Sequence, residues 1–146
     1  MSTQDVSDPN VVTDEDFARL LEFRAGLRRF LHWSEHRAKE VGLTATQHQL
    51  LLAVRGHGGP PSVGELAEHL DLRHHSTVEL VDRAAHAGLV SRSADTDDQR
   101  VVRVVLTAEG ESRLRDLSVV HLAELSRIGP KFAAFWRSLP TDGQRG

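Results

Sequence analysis

The chain contains no cysteine among its 146 residues, which excludes disulfide bonds, thiolate metal sites and thiol-based redox sensing. Long hydrophobic runs are also absent: the longest, LLLAV at residues 50–54, is far shorter than the roughly 20 residues that a membrane-spanning helix needs. The first ten residues, MSTQDVSDPN, show neither a signal-peptide nor a transit-peptide pattern. We therefore expect a cytoplasmic location.

Three common catalytic signatures are missing as well, namely the nucleophile elbow, the phosphate-binding loop and the HExxH zinc motif. No enzymatic activity is therefore expected. Hydrophobic residues make up 39% of the chain and charged residues 27%, which is typical of a globular domain.

Basic residues do not dominate the chain, since the formal net charge is −3. The charge is unevenly distributed: residues 1–22 hold six acids and one arginine, whereas residues 23–146 hold 17 bases and 15 acids. Sixteen of the 18 bases are arginines, whose planar guanidinium can form bidentate contacts. This balance allows DNA binding if the arginines converge on one surface.

The N-terminal part of the chain is predicted to form one long helix that begins after the capping residue Thr13 and ends at Gly42. Its apolar residues form two stripes. The first stripe consists of Phe17, Leu20, Leu21, Leu27 and Leu31, and the second of Phe23, Phe30 and Trp33. Two stripes on one helix indicate that it faces both its own domain and a partner subunit.

Three capping boxes divide the middle of the chain: TATQ (44–47), SVGE (62–65) and STVE (76–79). In each, a Ser or Thr stands three residues before a Glu or Gln, the pattern in which two side chains satisfy free amides at a helix start. They predict three short helices, the third beginning at Ser76. GHGGPP (56–61) separates the first two, and DLRHH (71–75) is predicted to form a short turn between the second and third.

After Gly88 the hydrophobic pattern becomes alternating. The acidic segment ADTDDQ followed by RVVRVVL, in which Val102, Val104 and Leu106 share a face, predicts a β-hairpin with an acidic tip. Thr107 is predicted to cap a long helix that ends at Gly129-Pro130, and KFAAFWRSL to form a last short helix. A helix-turn-helix followed at once by a two-stranded hairpin is a winged helix-turn-helix.

Four segments resemble the MarR family of bacterial transcription regulators: GLTATQHQLLLAV, SVGELAEHL, STVELVDRAAHAGLVSR and DDQRVVRVVLTAEG. They cover most of residues 42–110. DQR (98–100) and LT (106–107) match the family's wing signature, and VDR (81–83) with GL (88–89) matches its V-D-R and G-L segment. Two positions depart from the family pattern, Glu79 on the recognition helix and Ala84, which replaces a common leucine.

The resemblance implies a mainly α protein with a small β-hairpin wing. Its domains would be a flexible arm (1–12), a dimerisation helix (13–41), a winged helix-turn-helix lobe (42–106), C-terminal dimerisation helices (107–139) and a polar tail (140–146). It implies a homodimer that represses transcription from a palindromic DNA operator, with recognition helices in major grooves and wings in minor grooves. It further implies a cleft for a small phenolic or aromatic carboxylate ligand that weakens DNA binding, and no cofactor.

Eight residues are predicted to contact DNA: Arg73, His74, His75, Ser76, Thr77, Glu79, Arg83 and Arg100. Arg100 at the wing tip suits the narrow minor groove of A·T-rich DNA, or it is simply paired with Asp97 or Asp98. Amides and hydroxyls at the start of the recognition helix suit phosphate, although Ser76 could be only a cap. Glu79 could accept from cytosine, complete a capping box or pair with Arg83, and Arg83 could instead brace the wing.

Five residues are candidates for the ligand cleft because an aromatic wall with a basic group suits a phenol or carboxylate: Trp33, His36, His48, Leu52 and Arg55. The alternative for Trp33 is a core or dimer-interface role.

His32 and His36 lie one helical turn apart, a spacing that can bind a transition metal. The alternative function is therefore a metal-responsive regulator, with Glu35, His48 or His121 as further ligands only if the fold brings them near. A third hypothesis is a protein–protein adaptor that keeps the winged fold without reading DNA.

Overall fold

The computed structural model describes residues 11–139, so the polar tail and nearly all of the predicted arm lie outside the described residues. Within this range the elements follow in the order α1 (Asp14–Glu40), α2 (Ala45–Gly56), α3 (Val63–Leu70), α4 (His74–His86), β1 (Val90–Ala94), β2 (Val102–Leu106) and α5 (Ala108–Ser138). The predicted fold class, mainly α with a small hairpin, is confirmed. No helix within residues 11–139 is both long and apolar enough to cross a membrane.

The chain divides into two compact units. One contains residues 33–122, and so holds the helix-turn-helix, the hairpin, the last eight residues of α1 and the first half of α5. The other, in its described part, contains residues 11–32 and 123–139.

Two of the three predicted capping boxes are confirmed in the unit of residues 33–122. Thr44 accepts from the amide of Gln47 at 3.1 Å while the Gln47 side chain accepts from the Thr44 amide at 3.0 Å, and Ser62 and Glu65 make the same pair of bonds at 3.1 Å each. They fix the starts of α2 and α3.

The third capping box was wrong. Helix α4 begins at His74, its N-cap is Arg73, and no side chain caps it. Asp71 adopts a left-handed conformation (φ 51°, ψ 47°) that reverses the chain immediately after α3. The turn is therefore complete two residues earlier than predicted, and Ser76 lies inside the first turn of α4.

The core of this unit is built from aliphatic side chains of all its elements. Its fully buried members include Leu50 and Leu51 of α2, Leu66 of α3 and Val104 of β2. Helix α4 contributes one apolar face, which consists of Leu80, Val81 and Ala84 with the buried Thr77. The opposite face of α4 therefore stays in solvent.

The hairpin pairs β1 and β2 antiparallel, with Val90 opposite Leu106 and Ala94 opposite Val102, as the alternating pattern predicted. Its base is tied to the connection between α2 and α3, because the amide of Val104 donates to the carbonyl of Pro61 at 2.9 Å. The wing is thus anchored to the lobe by backbone as well as by its apolar face.

The predicted break at Gly129-Pro130 was wrong, since α5 continues through Pro130 to Ser138. Proline within a helix costs about 3 kcal/mol. Aromatic packing offsets that cost in the unit of residues 11–32 and 123–139: Phe23 stacks on Phe135 (ring centroids 4.5 Å apart) and meets Phe132 and Trp136 edge-on at 5.8 and 5.7 Å. The second predicted stripe of α1 therefore contributes Phe23 to contacts within the chain.

Candidate nucleic-acid interface

The solvent face of α4 presents most of the polar residues that the sequence nominated. Arg73, His74 and His75 are exposed at its start, Ser76 is half-buried, and Glu79 and Arg83 follow further along the exposed side. Because the buried face is fixed by Leu80, Val81 and Ala84, these side chains line one accessible surface.

The first turn of α4 leaves its backbone donors without a side-chain cap. Free amides at a helix start carry partial positive charge, which suits an anionic oxygen. The flanking Arg73 and His74 are basic or titratable groups. This end of α4 therefore has the chemistry to receive a phosphate.

Thr77 is a correction to the predicted interface. Its side chain is fully buried and its hydroxyl donates to the carbonyl of Arg73 at 3.0 Å. Thr77 lies three and four residues before Leu80 and Val81, so helical periodicity puts it on the buried face of α4. A groove-bound contact through the Thr77 side chain is therefore excluded.

Two predictions for the other side chains of α4 also change. Glu79 is not the capping partner of Ser76, because Ser76 is not the N-cap. The residue of α4 that pairs with the wing is Asp82 and not Arg83, since the Asp82 carboxylate pairs with the guanidinium of Arg92 on β1. This pair links the recognition helix to the first strand of the wing.

Arg100 projects from the wing tip with 91% of its side chain exposed. Its guanidinium forms two hydrogen bonds to the Asp98 carboxylate, at 3.1 and 3.2 Å, and its amide forms a third at 3.0 Å. These bonds hold the pKa of Asp98 below its ordinary value. The ion pair orients Arg100 but leaves its guanidinium exposed. Arg100 therefore pairs with Asp98, as one alternative predicted, and still faces solvent.

A second network fixes the lower part of the wing. Arg103 of β2 donates to Glu65 of α3 at 2.7 Å and to Asp95, the residue after β1, at 3.4 Å. The Ser62 amide and hydroxyl, aided by His57 and Arg103, lower the pKa of Glu65 to about 2, so it is a carboxylate at any physiological pH. Local sequence patterns do not show the pairing of Glu65 with Arg103 or of Asp82 with Arg92, because each pair meets only through the tertiary fold.

The five ligand-cleft candidates are not brought together. Trp33 and His48 both contact His121, with ring centroids 4.8 Å apart in each pair. His36, by contrast, is 75% exposed beside Glu40. The remaining two candidates are also elsewhere: Leu52 is exposed, and Arg55 pairs with Glu111 at 3.2 Å beside a shallow cavity of about 240 Å³.

The cluster of Trp33, His48, His121 and Ser34 is a compact polar-aromatic site inside the unit of residues 33–122. The Nδ1–H of His121 donates to the Leu117 carbonyl at 2.7 Å, so neutral His121 accepts from the Ser34 hydroxyl, 2.7 Å away, through Nε2. Burial, with a smaller effect of the His121 charge, lowers the pKa of His48 to about 4. His48 is therefore neutral near pH 7.

Residues 11–139 contain no group of three or more His, Asp or Glu side chains arranged to hold a metal ion. Within these residues, no third ligand joins His32 and His36, as the metal-responsive alternative would need.

Comparison with known proteins agrees with the winged fold. A sequence model of the MarR family matches residues 41–101. The transcriptional repressor MdtR of Bacillus subtilis is 28% identical over 89 residues, which are 61% of this chain and 57% of that protein. The chain thus matches about three fifths of the length of the curated repressors it resembles.

Solved structures show the same architecture over a longer stretch. The MarR family regulator SP03579 superposes with a TM-score of 0.74 at 19% identity, covering 85% of each chain. MepR F27L of Staphylococcus aureus, solved bound to an oligodeoxyribonucleotide, superposes with a TM-score of 0.63 at 15% identity, covering 85% of this chain and 86% of its own. At these identities the similarity establishes the fold alone.

Proposed function

We propose that this chain, whose residues 41–101 match the MarR family model, is a MarR-type dimeric transcriptional regulator that binds a palindromic DNA operator and represses transcription. The observation that carries the proposal is the pairing of an accessible α4 face with the exposed, oriented Arg100 at the wing tip. A helix of this kind fits the major groove, and an arginine beyond it reaches the adjacent minor groove. MepR bound to an oligodeoxyribonucleotide supports DNA as the partner.

Homodimer formation is supported by the first apolar stripe of α1. Its five members, Phe17, Leu20, Leu21, Leu27 and Leu31, are all exposed in the single chain. A contiguous apolar surface of this kind normally marks an interaction site. A second copy that covers the stripe would bury it, and a two-fold dimer would present two copies of α4 to the two halves of a palindromic site.

Selection of bound duplexes from a random pool tests the DNA-binding proposal. We expect recovery of an inverted repeat whose half-sites lie about 10 base pairs apart, centre to centre. Recovery of no preferred sequence would contradict operator recognition and favour the adaptor hypothesis. Transcription from a promoter that carries the recovered site then shows whether binding represses.

Sedimentation analysis tests the dimer separately. Leu21→Glu should shift micromolar protein from two copies to one, because it puts a charge in the apolar stripe. Leu52→Glu is the matched control, since Leu52 is also exposed but lies on α2. A wild-type protein that stays a single copy, or a control with the same effect, would contradict the assignment.

We also propose that a small phenolic or aromatic carboxylate ligand lowers the DNA affinity by binding beside Trp33. An indole with two imidazoles nearby, His48 and His121, offers an aromatic wall and hydrogen-bonding nitrogens. Such a ligand acts only if its affinity differs between the DNA-competent conformation and another one. Salicylate and related compounds should therefore displace operator DNA from the wild type and not from Trp33→Ala, whereas no displacement by any of them would refute the proposal.

A further inference from the structure

Two histidines, His57 and His69, lie next to each other in the unit of residues 33–122, and neither is among the proposed DNA contacts. His57 follows α2 as its C-cap, and His69 lies in the last turn of α3. Nδ1 of His57 and Nε2 of His69 are 2.9 Å apart, and the rings meet nearly edge-on, with an interplanar angle of 81°. Both side chains reach solvent, since His57 is one quarter exposed and His69 is exposed.

The hydrogen bonds determine which nitrogen of neutral His57 carries its proton. Nε2 of His57 lies 2.6 Å from the Glu65 carboxylate, which can only accept because Glu65 stays ionised. The proton is therefore on Nε2, and Nδ1 presents its lone pair toward His69.

The contact between His57 and Glu65 is one that a metal-ligating imidazole usually makes. A ligating histidine nearly always donates its other N–H to a carboxylate or carbonyl, which orients the ring and raises its basicity. Glu65 provides that support to His57 and is itself held by Arg103 and by the Ser62 amide. The supporting carboxylate is thus fixed before any ion arrives.

We propose that His57 and His69 form a two-histidine chelate for a divalent transition ion, with Cu²⁺ preferred. Imidazole nitrogens suit Cu²⁺, Ni²⁺ and Zn²⁺, and Cu²⁺ binds most tightly in that series. With metal–nitrogen bonds of about 2.0 Å, two nitrogens at right angles lie about 2.8 Å apart, and two at a tetrahedral angle about 3.3 Å apart. In the metal-free chain a hydrogen bond already holds the two nitrogens 2.9 Å apart, so both can reach one ion after a small movement.

The chelate needs two adjustments that the surface position allows. In the metal-free chain Nε2 of His69 carries the proton that it donates to Nδ1 of His57, so His69 first moves this proton to its own Nδ1. Rotation of the exposed His69 ring then turns the freed Nε2 lone pair toward a shared ion, and water completes the coordination. Because His57 follows α2 and His69 belongs to α3, the ion would cross-link these two helices within the lobe. The proposal does not depend on the DNA-binding function.

Titration of the full, tag-free chain with CuSO₄ in a non-coordinating buffer tests the site without DNA. We expect one equivalent with micromolar or tighter affinity, an electron paramagnetic resonance spectrum with coupling to two nitrogens, and a raised melting temperature. His69→Ala should weaken binding at least tenfold and remove one of the two couplings. The double variant His32→Ala/His36→Ala should bind as the wild type does, because it removes exposed histidines of α1 and leaves this pair intact.

Three results would overturn the proposal: no tight equivalent in the wild type, equal binding by His69→Ala, or loss of binding in the double variant. Metal-free melting curves separate misfolding from loss of a ligand. If His69→Ala itself destabilises the chain, His57→Gln provides the second test, and its binding must also fall at least tenfold. Operator binding is measured in parallel, and its presence or absence bears only on the proposed function.

Discussion

Gly110, in the first turn of α5, lies directly against the carbonyl of Leu89. A Cβ at residue 110 would lie far closer than 3.0 Å to the Leu89 oxygen, a backbone atom that cannot move aside cheaply. The contact is fixed by Thr107, whose amide donates to the Leu89 carbonyl at 3.0 Å and whose hydroxyl donates to the Gly88 carbonyl at 2.6 Å. The start of α5 is therefore seated on the segment that leads into the wing.

Gly110→Ala should destabilise the protein by about 2–4 kcal/mol, because the added methyl group forces α5 away from Leu89. Gly56→Ala is the matched control: Gly56 ends α2, and a Cβ there meets nothing within 4 Å. Alanine is the better helix former by up to about 1 kcal/mol, so the control should be neutral or slightly stabilising. Urea unfolding of both variants measures the difference, and equal stabilities would show that the close approach is absent in solution.

Asp71→Gly should stabilise the protein by about 0.5–1 kcal/mol. Asp71 ends α3 with φ 51°, a left-handed conformation that glycine adopts without steric cost. Asp71→Ala provides the comparison, because alanine keeps the Cβ and removes only the charge. Thermal unfolding should rank glycine above both aspartate and alanine, and an alanine variant as stable as the glycine variant would assign the effect to charge.

His48 should make the protein less stable in acid. Its pKa is about 4 in the folded chain and about 6.5 when exposed, so the unfolded chain binds more protons between these values. The free energy of unfolding is therefore highest above about pH 6.5 and decreases as the pH falls toward 4, by up to about 3 kcal/mol.

The His48 prediction is checked by urea unfolding across that pH window. His48→Phe should flatten the pH dependence, whereas His36→Ala, which removes a histidine that is 75% exposed, should leave it unchanged. An unchanged slope in His48→Phe would show that other groups cause the acid sensitivity.

Arg100→Ala should weaken operator binding at least tenfold at fixed salt and reduce the salt dependence by about one phosphate contact. Arg115→Ala removes the same charge from α5, where Arg115 pairs with Glu111 at 2.8 Å, and should change the affinity little. Fluorescence anisotropy with the selected duplex at several salt concentrations gives both quantities. Equal losses in the two variants would indicate a general charge effect instead of a contact from the wing tip.

Local sequence signals predicted most of the fold because the physics behind them is local. The capping boxes at Thr44 and Ser62 and the alternation around Val104 correctly placed two helices and the hairpin. The same signal failed at Ser76, where a left-handed Asp71 had already completed the turn, and at Pro130, where packing against Phe23 carries the helix onward. In both cases the deciding residue lies elsewhere in the chain.

The candidate site was predictable to the extent that it depends on one helix face and one turn. Arg100 and the exposed positions of α4 follow from helical and hairpin periodicity. The residues that position them, Glu65 and Asp82, act through partners 38 and 10 residues away in sequence. The prediction of the ligand site was the least accurate, because only the folded chain shows that Trp33 and His48 contact His121 and that His36 does not.

The tip of the wing completes its own hydrogen bonds. The Asp98 amide donates to the Asp95 side chain at 3.1 Å, the Val101 amide to the Asp98 carbonyl at 3.0 Å, and the Asp95 amide to the Val101 carbonyl at 2.9 Å. These bonds are anchored at Asp95 and Val101, so residues 96–100 can be exchanged between the two anchors while Asp95 keeps its bond to Arg103 of β2. Grafting residues 96–100 from other winged regulators would therefore give a set of chimeras with one common scaffold and different groove preferences.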